Sequence, residues 1–163
     1  MRLNRSIEIA VPPAAVWEYI AEPSNYLDFM SGVTRFEVAG EVARGLGARY
    51  RVLIRIGSAE VGGLIEVVEW DEERDMALSS VTGLDQRIRW RLRERPEGRT
   101  RVEFRYAYGV AGGGIAGLIA ESVAAPTLRR HLRRSLHQLK RLIEQKHLRA
   151  LAANRRARAT SEA

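Results

Sequence analysis

The chain has 163 residues, the length of one ordinary domain, and a core of that size buries roughly 70% of the unfolded surface. Hydrophobic residues at 45% and charged residues at 29% exclude wholesale disorder, and the absence of cysteine excludes disulfide frameworks, thiolate metal sites and cysteine nucleophiles. The net charge of +7 is lopsided: residues 129–163 carry 11 basic and 2 acidic residues, whereas residues 1–128 carry 16 and 18, so the whole excess lies at the carboxy terminus.

In chain order, Leu3, Ile7, Ile9 and Val11 share one parity against Asn4, Ser6 and Glu8, which predicts a half-buried strand. MRLNRSIEIAV lacks the apolar run of a secretory leader, and a cytoplasmic, soluble protein is expected. Pro12 and Pro13 end the strand. Val16 and Ile20, four apart with Trp17 beside them, predict a short amphipathic helix with proline at its start, where the missing N–H is harmless. Pro23, Ser24 and Asn25 form a turn, and YLDFM predicts a second helical turn.

From Val33 to Val110 the period becomes two. Tyr50, Val52, Ile54 and Ile56 alternate with Arg49, Arg51, Leu53 and Arg55; Ile88, Trp90 and Leu92 alternate with Arg87, Arg89, Arg91 and Arg93; Val102, Phe104, Tyr106 and Tyr108 alternate with Arg101, Glu103 and Arg105. The short breaks at Gly57-Ser58, Asp71 to Asp75, Gly83 to Asp85 and Pro96 to Gly98 predict antiparallel hairpins. Strands of about 10 to 12 residues must twist and coil, and Gly57, Gly62 and Gly63 offer bending points.

Beyond Gly112 the period is helical. Ile115, Leu118, Ile119, Ser122, Val123, Leu128, Leu132, Leu136, Leu139, Leu142 and Ile143 form one stripe, and arginines and Lys140 fill the opposite face. Pro126 predicts a kink near Ser122 to Ala125. Residues 1–147 read as one domain, and 148–163 as a basic tail expected to fray, since apolar periodicity is lost past Leu151.

Quoted in order, IEIAVPPAAVWEYIAEPSNYLDF, GLGARYRVLI, LIEVVEWDEER, RWRLRERPEGRTRVEFRYAYG and LRRSLHQLKRLIE resemble the START-like, or SRPBCC, superfamily over residues 3 to about 144. The resemblance implies an α+β helix-grip fold: a curved seven-stranded antiparallel sheet wrapped around one long C-terminal helix, with two short helices after the first strand. It also implies a cavity between sheet and helix, in a superfamily whose bacterial members include polyketide cyclase/dehydrase-like and lipid-transport proteins.

The remaining motifs are weak. Gly112, Gly114 and Gly117 spell G-x-G-x-x-G, but an antiparallel strand precedes it and no strand follows, so a hinge or close packing is expected instead of a nucleotide site. His131, His137 and His147 have no metal-ligand spacing, and no metal or cofactor is expected. The acidic run Glu69, Asp71, Glu72, Glu73 and Asp75 reads as a solvated turn. The stripe Arg87, Arg89, Arg91 and Arg93 is expected to pair across strands with Glu103, Glu60 and Glu66, which makes nucleic acid binding by the sheet an unfavoured reading.

Large apolar residues on an inner strand face are core by default, and a few polar groups among them can orient a ligand. The candidate ligand-binding set is therefore Tyr50, Gln86, Trp90, Phe104, Tyr106, Tyr108 and, from the helix beside Leu128, Leu132 and Ser135, His131. Three functional readings follow. The first is a binding module for a small hydrophobic molecule of polyketide, acyl or isoprenoid type. The second is a polyketide cyclase/dehydratase, as the resemblance allows, in which Gln86, Tyr106, Tyr108 or His131 moves protons; no triad or metal set assigns a catalytic residue. The third is an interaction or assembly protein whose basic helix docks an acidic protein partner, a nucleic acid or an anionic membrane.

Overall fold

The structure is a computed structural model that describes the backbone of residues 1–109 and 115–161 and the side chains of 1–109 and 125–161. Strand β1 (Arg2–Ile9) leads into helix α1 (Pro13–Ile20), a 3-10 turn (Pro23–Asn25) and the single-turn helix α2 (Tyr26–Phe29). Six strands follow: β2 (Val33–Val38), β3 (Arg49–Ile56), β4 (Ala59–Asp71), β5 (Asp75–Gly83), β6 (Asp85–Arg95) and β7 (Arg99–Gly109). Helix α3 spans Ile115–Ser161, 47 residues or about 70 Å at 1.5 Å per residue.

All neighbouring strands pair antiparallel, in the order β1-β7-β6-β5-β4-β3-β2. The hairpin order follows from the short breaks, and β1 reaches the far edge because α1 and α2 carry the chain across the sheet before β2 begins. At the middle of β4 the strands pinch together. A Cβ on Gly62 would collide with the Val52 carbonyl oxygen, one on Gly63 with that of Thr82, and one on Gly83 with that of Gly62. Glycine is required there because backbones of adjacent strands occupy the space of a side chain.

Parity holds as predicted. Ile88, Trp90, Leu92, Val102, Phe104 and Tyr106 are buried, and they join Leu128, Leu132, Leu136, Leu139 and Ile143 of α3 in one core. Trp17 of α1 meets Trp70 of β4 edge-on at 4.9 Å, and Lys140 and Glu144 of α3 clamp β1 through the Glu8 carbonyl and the Ala10 N–H, at 2.8 Å each. Thr100, fully buried, donates to the Val11 carbonyl at 2.7 Å and so hides no unmet hydroxyl.

The outer face differs in detail from the sequence reading. The arginine stripe is ion-paired, but its partners are Glu69 and Asp75, two residues assigned above to a solvated turn. Arg89 donates to both Glu69 carboxylate oxygens at 2.6 Å and Arg87 to one at 3.1 Å; Asp75 takes Arg91 at 2.8 Å, Arg93 at 3.3 Å and Arg89 at 3.7 Å. The reason is register. Glu69 lies opposite Ala77, which lies opposite Arg89, and a methyl between them lets the long side chains meet over it; Asp75 lies directly opposite Arg91. Glu103, Glu60 and Glu66 instead serve Arg101 and Arg105, Arg55, and Arg49.

Helix α3 is continuous through Pro126. The stretch 148–163, predicted to fray, is helical as far as Ser161 and exposed over 148–161, because alanine, leucine and arginine favour helix even without a core to pack on. Gly112 and Gly114 of the predicted hinge lie outside the described residues, as do the side chains of Ile115, Leu118, Ile119, Ser122 and Val123.

Candidate functional site

Between the inner sheet face and α3 lies an apolar slot. Its walls are Val33 and Phe36 of β2, Val52 and Ile54 of β3, Val61 and Gly62 of β4, Gln86 and Ile88 of β6, Phe104 and Tyr106 of β7, and Leu128, His131, Leu132 and Ser135 of α3, with Tyr26 of α2 and Met30 and Ser31 from the α2–β2 connection. It encloses a cavity of about 50 Å³. The slot is narrow. A water needs roughly 10 to 15 Å³ of such space, so the slot has room for a few waters as it stands and must widen to take a larger molecule.

Of the candidate residues, Gln86, Phe104, Tyr106 and His131 line the slot. The other three do other work. Trp90 is fully buried behind it, packed edge-on against Phe104 at 4.3 Å and Phe29 at 6.0 Å. The Tyr50 hydroxyl donates to the Ala43 carbonyl at 3.1 Å, which ties down the loop between β2 and β3. Tyr108 stacks on Tyr106 at 5.4 Å and directs its hydroxyl to the Met1 sulfur at 3.0 Å, towards β1.

Two polar clusters interrupt the apolar lining. In one, the Tyr106 hydroxyl donates to Gln86 Oε1 at 3.0 Å. Burial is the main cause, and neighbouring Tyr108 a lesser one, of a Tyr106 pKa pushed well above the ordinary tyrosine value, so this phenol stays protonated. In the other, Ser31 Oγ bonds His131 Nδ1 at 2.9 Å, Ser31 N–H donates to Ser135 Oγ at 2.9 Å, and Ser135 donates to the His131 carbonyl at 2.8 Å. Burial lowers the His131 pKa, and the charges of Arg134 and Arg130 lower it further, against an opposing bond with the Arg55 backbone. The ring is therefore neutral at neutral pH.

Gly32 completes this cluster. It adopts φ +86°, and a Cβ there would stand 2.8 Å from the His131 ring, so only glycine lets the turn close over the imidazole. Ser31 and Gly32 escaped the sequence reading: they sit in an ordinary helix-to-strand turn a hundred residues from His131, and no local pattern announces such a contact. Ser135 was legible only as a polar residue on the inward helical stripe.

Among the described residues no helix is long and apolar enough to cross a membrane. None of the curated proteins matches the chain. Solved structures do. TTHA0849 of Thermus thermophilus is 20% identical with a TM-score of 0.75, over 88% of this chain and 97% of that one. The Zhui aromatase/cyclase of Streptomyces sp. R1128 is 17% identical with a TM-score of 0.75, over 90% and 94%. A START superfamily protein of Mycobacterium smegmatis is 14% identical with a TM-score of 0.66, over 88% and 97%. At these identities the likeness establishes the fold, a START-like helix grip. The sequence model of the polyketide cyclase/dehydrase and lipid transport family matches residues 1–144, and the chain belongs to that family.

Proposed function

We propose that the protein binds a small, largely apolar molecule, of polyketide, acyl or isoprenoid type, in the slot between the sheet and α3. The observation that carries this reading is the slot itself, a largely apolar gap between sheet and helix with two polar clusters on its wall. Met30, Val33, Ile54 and Val61 are only partly buried, so they can give way, and methionine is the most adaptable of core side chains. Membership of a family described by cyclase/dehydrase and lipid transport supports the same reading.

The Ser31–His131 pair favours a second reading, catalysis of the cyclase/dehydratase type. A neutral imidazole on the slot wall can take up a proton passed to Nδ1 through the Ser31 hydroxyl, whereas Tyr106, held protonated, keeps its proton in the bond to Gln86. The test of ligand binding is titration with a dansyl-labelled methyl undecanoate, a neutral ester. Saturable binding is expected, and Val61→Phe, which narrows the slot, should weaken it at least roughly tenfold with the unfolding midpoint unchanged. Equal binding by both proteins would remove the slot as the site.

A further inference from the structure

Gln86 is 4% exposed and lines the slot, yet its amide is only half satisfied. Oε1 accepts from the Tyr106 hydroxyl, while Nε2, fully buried, has no partner among the described residues. Its backbone N–H is held by Ser80 Oγ at 3.2 Å, which fixes this end of β6. A primary amide carries two N–H donors, and burying them unmet is unfavourable enough that most buried polar atoms find a partner. Leucine or methionine would fill a similar volume beside Ile88 and Phe104 without that cost.

Turning the amide round makes matters worse. Nε2 would then donate to the phenol oxygen, leaving both Oε1 and the phenol proton without partners. Tyr106 stays protonated, so Oε1 accepts and Nε2 is the free donor. No water-sized atom reaches Nε2 in the slot as it stands, so the same widening that admits a larger molecule has to bring a bound acceptor to it.

We propose that Gln86 is the polar anchor of the slot, donating through Nε2 to a carbonyl oxygen on the bound molecule, which is accordingly a ketone, ester or thioester and not a bare hydrocarbon. A hydroxyl would bring a proton needing its own acceptor. A carboxylate would bring a buried charge, and no lysine or arginine is among the described residues that line the slot. The inference rests on the slot being a ligand site.

Methyl nonyl ketone and its methylene analogue, with CH2 in place of the carbonyl oxygen, share a shape and differ in that acceptor. Both are titrated into the full chain, with binding and the Gln86 side-chain NH2 signal followed by NMR. Wild type should favour the ketone by roughly tenfold or more, and the NH2 signal should shift with the ketone alone. In Gln86→Met with Tyr106→Phe, which leaves no phenol free to donate to the ketone in place of the amide, the two probes should bind alike and the analogue as tightly as to wild type. Equal binding of the two probes to wild type, or a ketone preference that survives in the double variant, overturns this inference and leaves the slot standing. Binding of neither probe to wild type overturns both.

Discussion

Trp90→Ala separates core from site most sharply. Trp90 is 0% exposed and sits at the centre of an aromatic cluster, 4.3 Å from Phe104, 6.0 Å from Phe29 and 6.4 Å from Tyr26, ring centre to ring centre. An indole buries about 200 Å², worth about 5 kcal/mol at 25 cal/mol per Å². Alanine keeps a little of that, the lost ring contacts add to the deficit, and partial collapse of the cavity offsets some of it, so the expected loss is about 3 to 5 kcal/mol. For a domain of this size that lowers Tm by roughly 6 to 20 °C. Urea unfolding followed by circular dichroism measures it, with an unchanged slope confirming that the unfolded state is not what moved. A loss under about 1 kcal/mol, with binding of the dansyl-labelled methyl undecanoate weakened, would place Trp90 against the ligand and refute its assignment to the core.

Two further outcomes rest on titrating groups. Partial burial alone would raise the Asp75 pKa, but the hydrogen bond and charge of Arg91, with Arg93, hold it below the ordinary aspartate value. Its contribution is thus fully present above the unfolded pKa of about 4 and is lost as pH falls through the lower folded value; Asp75→Asn should cost about 1 to 2 kcal/mol at neutral pH and little in strong acid, by denaturant midpoints. His131 acts in the same direction, but from a higher pH. Its folded pKa lies below the unfolded value of about 6.5, so stability is unaffected above that pH and declines as pH falls towards the folded value, where the unfolded chain takes up a proton that the folded ring refuses. The ring signals in NMR should titrate below the ordinary histidine range and Ser31→Ala should shift that titration; a titration at or above the ordinary value would refute the buried, neutral ring.

Alternation and the four short breaks were enough to read the antiparallel hairpins from β3 to β7 and the inner parity of Trp90 and Phe104, because side-chain direction in a strand repeats every two residues and a slip of one would bury the arginines; the count of seven strands came with the family resemblance. The inward stripe of α3 from Leu128 to Ile143 was legible for the same kind of reason, a period of 3.6. Parity names a face without naming the neighbours on it. Tyr50, Trp90 and Tyr108 share the inner face with Gln86 and Tyr106, yet only the last two meet the slot, since that depends on how far along the curved sheet each strand position falls relative to α3. The ion pairs over Ala77 needed the register of three strands at once. The Ser31–His131–Ser135 cluster needed the α2–β2 turn to be carried onto α3, and the free donor of Gln86 emerges only once Tyr106 has taken its oxygen. Local periodicity records what a residue must face; contacts between distant segments are set by the packing of whole elements, which no window of sequence contains.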